Sequence, residues 1–118
     1  MFIVGAGPGI GLSTGGAAAV VGAVAPAMAE RGGGTLLFTT GSGALRPSPE
    51  RAASAVTTAA ESTYVALLHE ALAPHGVHAG QVAIVGAVGP GLKHEPDTVA
   101  EALWAHHVSR DAGLTVLE

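Results

Sequence analysis

The chain has no cysteine, one tryptophan and one tyrosine. Without cysteine there is no disulfide, no thiolate metal site and no thiol nucleophile. Aromatics make up 3% of 118 residues, so a core must be built from Ala, Val, Leu and Ile. Charge is sparse too, with five Lys and Arg against nine Asp and Glu. A general nucleic-acid surface needs a basic stripe. Five cations do not make one, and no nucleic-acid partner is expected. Long apolar runs are also missing. Residues 15 to 29, "GGAAAVVGAVAPAMA", form one that is too short and too poor in Leu and Ile to span a bilayer. It ends in Ala27-Met28-Ala29, a small-x-small pattern like a leader cleavage site. No Lys or Arg precedes Arg31, so the positive segment of a secretion signal is missing. The expectation is a cytoplasmic protein with no membrane partner.

What remains is an apolar chain of small residues, 48% hydrophobic, with a length that suits one domain over 1–118. Phe2-Ile3-Val4 reads as a short buried strand and Gly5 to Gly11 as a turn. A helix is predicted from about Ile10 to Glu30-Arg31, weakened by Gly22 and Pro26 and stopped by Gly32-Gly33-Gly34. "TLLFTT", 35 to 40, has the continuous apolar centre of a strand covered on both faces. Ser48-Pro49-Glu50 starts a second helix, with a cap, a first-turn proline and an acid at the positive dipole end. It runs to His75-Gly76. Val56, Ala60, Tyr64, Leu67, Leu68, Ala71 and Leu72 are its expected buried face, and Ala52, Ala55, Ala59, Ser62 and Ala66 a second, small-residue face. A third strand is centred on Val82 to Val85. A third helix covers Asp97 to Val108, with Trp104 expected to anchor it on the sheet. "LTVLE" is a last strand. The alternation β-α-β-α-β-α-β argues for an α/β domain with a mostly parallel sheet of about four strands flanked by helices.

The first turn carries Gly5, Gly7, Gly9, Ile10 and Gly11 directly after a strand and into a helix. That context suits a diphosphate. Glycine permits the tight turn and close backbone approach, and the helix start offers free N–H groups and positive dipole. The alternative reading is a tight turn that binds nothing. Thr40 and Ser42 are candidates for a reacting or substrate-binding hydroxyl, because sites in open α/β sheets lie at the carboxyl ends of strands. Their alternative is turn chemistry in Gly41-Ser42-Gly43. Six histidines tempt a metal reading. His69, His75, His78, the adjacent His106-His107 and His94 beside Glu95 and Asp97 show no i, i+4 pair, and no metal site is expected.

"GAGPGIG" resembles the cofactor loop of the short-chain dehydrogenases/reductases, Gly-x3-Gly-Ile-Gly. "VAPAMAERGGGTLLFTTGSGALRPSPE" is similar to that family's helix, fifth strand and serine loop. "LLHEALAPHGVHAGQVAIV" is similar to the end of its active-site helix and its sixth strand. The resemblance implies a reduced Rossmann-like, three-layer domain and an oxidoreductase ancestry. It also implies NAD or NADP, or another phosphate ligand, held at Gly5, Gly7, Gly9, Ile10 and Gly11, with Ser42 the nearest match to the family's serine. The likeness jumps at about Ser13 to Gly16, as if the family's second to fourth strands were missing. The acidic or basic residue that selects between the two cofactors falls in the gap, and Glu30 stands at a helix end instead of a strand end.

The family's catalytic set is Asn, Ser and a Tyr-x-x-x-Lys pair, in which the ammonium lowers the phenol pKa. This chain has no Asn, and its sole Tyr and Lys are Tyr64 and Lys93. Alignment on "ALAPHGV" puts Ser54 and Thr58 at the pair's positions. The usual hydride transfer is therefore not expected. The resemblance also implies homodimerisation through the first two helices. A structural or interaction role, by dimerising or docking on a full-length relative, is the alternative to dinucleotide binding.

Overall fold

The computed structural model describes residues 2–5, 14–41, 49–110 and 113–118. The elements run β1 (Phe2–Gly5), α1 (Thr14–Arg31), β2 (Gly34–Gly41), α2 (Ala52–Leu72), β3 (Val77–Ile84), α3 (Pro96–Ser109) and β4 (Leu114–Leu117). Short 3-10 turns, Pro49–Arg51 and Ala73–His75, flank α2. The four strands form one sheet in the order β1-β2-β3-β4, and every neighbouring pair is parallel. The expected α/β, reduced Rossmann-like architecture is the observed one. No helix among the described residues is long and apolar enough to cross a membrane.

The element ends follow from local chemistry. Gly32 N–H donates to Ala29 O and Gly33 N–H to Met28 O, which closes α1 by the crossed pair of a Schellman motif. Pro96 opens α3 and Asp97 sits in its first turn, where the dipole favours an acid. The sheet is covered on both faces, so its central strands are buried over most of their length. One layer of core joins Val21, Ala25 and Met28 of α1 and Val65 of α2 to Leu36, Phe38, Val77 and Ala79. The other joins Leu103 of α3 to Leu37 and Val82.

Two expectations about side chains are corrected. Val56 and Leu67 of α2 are 68% and 60% exposed. Ala60 and Ala71 are exposed as well. The buried stripe is Ala55, Glu61 and Val65, continued by the partly covered Leu68 and Leu72. The helix is thus turned by about one residue, roughly 100°, from the predicted face. Alanines on every side make its apolar pattern nearly flat, and a glutamate stands in the middle of the true inner face. Trp104 is 57% exposed and packs its ring on His107, with centroids 5.1 Å apart. Leu103, one position earlier, anchors α3 instead.

Candidate functional site

In a parallel sheet all strands point one way, so their carboxyl ends line one edge. Here β1 ends at Gly5, which pairs with Thr39 of β2, and Gly41 pairs with Ile84 of β3. Thr39, Thr40, Gly41, Ile84, Gly86 and Val88 line a cavity of about 290 Å³ at that edge. The first residue of the glycine turn is therefore in register with the first residue of the cavity. Gly7, Gly9, Ile10, Gly11 and Ser42 lie outside the described residues. Thr40 is the catalytic candidate that the structure does place. It is 4% exposed, and its Oγ1 is buried with no hydrogen-bond partner among the described residues. A buried hydroxyl without a partner is costly, and this one stands where a ligand can supply the bond.

The far wall is the loop after β3. Nε2–H of His94 donates to Val85 O at 2.7 Å, His94 N–H to Ala87 O at 3.0 Å, and Gly89 N–H to His94 O at 2.9 Å. Glu95 Oε1 accepts from Gly91 N–H at 2.9 Å. His94 is a buried brace, and Glu95 a cap on the loop. The stem of Lys93 lies across Gly86, so a side chain there would strike it.

The positions aligned with the family's tyrosine and lysine, Ser54 and Thr58, fall in α2. The Thr58 hydroxyl donates back to Ala55 O at 3.2 Å, an intrahelical bond. Tyr64 packs against the core. Glu30 is exposed at the end of α1.

Sequence reasoning missed a second gathering of functional groups, at the opposite edge of the sheet. His69, His78, His106, His107 and Arg110 come from α2, β3, α3 and the residue that caps α3, and meet there. The usable signal is faint. Strand alternation puts His78 and Gly80 on one face, and Arg110 caps α3 one turn after His106. Burial and the positive charge of His106, Arg110, His69 and His107 push the His78 imidazole down to about 4. Burial raises the Glu61 carboxyl above its usual range. Among the described residues, no three His, Cys, Asp or Glu side chains are arranged to hold a metal ion.

No family profile matches the chain, and no curated protein resembles it closely in sequence. Solved structures do resemble it. A bulky-bulky ketone specific alcohol dehydrogenase from Comamonas testosteroni superposes with a TM-score of 0.77 at 18% identity, covering 89% of this chain and 42% of its own. A short-chain dehydrogenase from Sphingobium yanoikuyae, solved with NADPH, gives 0.76 at 19% identity, covering 91% and 46%. One from Streptomyces avermitilis gives 0.73 at 20%, covering 91% and 50%. The chain spans half or less of the length of these three structures, and with them it shares the short-chain dehydrogenase fold.

Proposed function

We propose that the chain is a dinucleotide-binding domain of short-chain dehydrogenase descent that lacks the usual hydride-transfer residues. One observation carries the reading: Gly5, the first residue of the glycine turn, ends β1 beside a cavity at the carboxyl edge of an all-parallel sheet. Ligands of open α/β sheets bind at that edge. The residues fit an NAD or NADP molecule. Backbone amides at Gly7, Gly9, Ile10 and Gly11 would hold the diphosphate. The unpartnered Thr40 hydroxyl would bond a polar group of the ligand in the adjoining cavity. Bound dinucleotide would supply a hydride donor or acceptor. Proton transfer is another matter, since neither Ser54 nor Thr58 replaces a phenol poised by an ammonium. The test is titration with NADPH and NADH, read by intrinsic fluorescence and by melting temperature. Saturable binding that weakens about tenfold or more in Gly9→Val is expected, since a branched side chain blocks backbone approach. No saturation up to millimolar cofactor defeats the proposal.

A second reading is a homodimer through α1 and α2. Val56 and Leu67 project from α2 into solvent. Ala19, Gly22, Ala23 and Ala27 present a smooth exposed face on α1. Apolar surface of this extent suits a partner. Sedimentation is expected to give a dimer for the native chain and a monomer for Leu67→Asp. A native chain that stays monomeric at the highest soluble concentration removes this reading.

A further inference from the structure

At the amino-terminal edge of the sheet, His78 of β3 and His106 of α3 face each other, Nε2 to Nδ1, at 2.9 Å. They are 5% and 3% exposed. The His106 ring comes so close to Gly80 that a Cβ there would overlap it, so only glycine fits. His69 of α2 donates Nδ1–H to Ala79 O at 2.8 Å, and its ring meets that of His78 edge-on at 5.6 Å. Arg110 donates to Thr35 Oγ1 at 2.7 Å, to Gly76 O at 3.0 Å and to Gly34 O at 3.1 Å. His107 shares the Thr35 hydroxyl at 2.9 Å. A cavity of about 310 Å³ opens between His69, His78, Arg110, Ala73, Gly76 and Val77.

The unused nitrogens of this cluster point to one kind of ligand. Nε2 of His106 is buried and has no hydrogen-bond partner among the described residues. A stranded N–H is the rarer kind of orphan, which puts the His106 proton on Nδ1, donated to Nε2 of His78. The proton of neutral His78 then sits on Nδ1, its remaining ring nitrogen. His69 has Nε2 left over, a donor once the ring is protonated. Arg110 has spent three of its five N–H bonds. Among the described residues, the hydrogen-bond partners of these four side chains are hydroxyls, backbone carbonyls and one another; none is a carboxylate. His106 does not line the cavity, whereas His78 and Arg110 line it with N–H groups to spare and no carboxylate bonded to them among the described residues, which is the complement of an oxyanion.

We propose that this cavity is a second ligand site, separate from the glycine turn, and that it takes a small organic oxyanion, a carboxylate or a phosphate monoester. The volume is at the lower end of metabolite pockets. The groups facing His78 are His106 and His107 from α3, Arg110 just after it and His69 from α2, and all of them repel a proton there. A bound anion reverses that repulsion. Binding therefore takes up protons and tightens as pH falls.

The test is titration of the whole chain with sodium phosphate and with sodium succinate, against sodium chloride at matched ionic strength, near pH 8 and near pH 6. Histidine side-chain NMR signals are the readout. Saturable shifts at His69 and His78 are expected, with affinity about fivefold tighter at the lower pH. Response to succinate identifies the carboxylate as the group recognised, and response to phosphate the phosphate ester. His69→Asn keeps an amide donor for Ala79 O but removes Nε2; it is expected to weaken binding about fivefold with little change in melting temperature. If that variant does not fold, the shifts in the native chain decide alone. Absence of any shift beyond the chloride control at tens of millimolar anion overturns the proposal. So does a stronger response to zinc than to either anion.

Discussion

Gly76→Ala is expected to destabilise the fold by about 3 kcal/mol or more, through two independent effects. Gly76 has φ of 74°, in the left-handed region, where an L side chain costs about 1–2 kcal/mol. Its missing Cβ also faces backbone: a methyl would overlap the Gly32 carbonyl oxygen and lie 3.1 Å from the carbon. That carbonyl cannot rotate aside, because its peptide is held by the Gly33 N–H, which donates to Met28 O. Gly76 has its own ties as well, N–H to Ala73 O and O from Arg110. Overpacking against fixed atoms adds about 1–3 kcal/mol. Gly91 is the control, since it has the same φ of 74° with nothing within 4 Å of its Cβ position. Gly91→Ala is expected to cost only the backbone contribution, about 1–2 kcal/mol. Urea melts of the two variants measure the difference. Equal losses would show that the approach of Gly32 to Gly76 carries no cost.

The order of strands and helices was legible because each rests on a local signal. "TLLFTT" is apolar without alternation, and β2 is buried on both faces. Pro49 and Pro96 stand at the starts of helical segments as N1 residues should. The start of β3 was not legible. Expected to centre on Val82 to Val85, it runs earlier, from Val77 to Ile84, and the reason it was hidden is that His78, Gly80 and Gln81 lack strand propensity. Their burial depends on distant partners: His106 for His78, and Ser62 for Gln81, whose Nε2 donates to Ser62 Oγ at 3.0 Å. The same reason hid the inner face of α2, where Glu61 is 2% exposed. The carboxyl-edge cavity could be located from strand order alone. The histidine cluster could not, since its members stand at 69, 78, 106, 107 and 110 and only the crossover to α3 brings them together.

Acid is expected to destabilise the protein through His78, by roughly 2 kcal/mol between pH 7 and pH 4. His78 titrates near 6.5 when unfolded and is pushed down to about 4 in the fold, first by burial and then by the positive charge of its neighbours. Above 6.5 both states are neutral and the stabilisation is complete. As pH falls from 6.5 to 4 the unfolded chain takes up a proton that the folded one refuses, so stability is lost through that window. The full difference corresponds to at most about 3 kcal/mol, and water entering the adjoining cavity screens part of it. Glu61 works in the opposite direction. Its carboxyl titrates above the usual 4.5 in the fold, so its contribution is lost as pH rises from 4.5 through the folded value. The two slopes oppose each other, and native protein shows only their sum. Glu61→Gln removes one of them. Its stability is expected to fall more steeply on acidification than that of the native chain, whereas His78→Gln is expected to gain stability as pH is lowered towards 4.5. Urea midpoints across this range separate the variants. A Glu61→Gln profile that is flat between pH 7 and pH 4 would mean that His78 accepts a proton as readily in the fold as out of it.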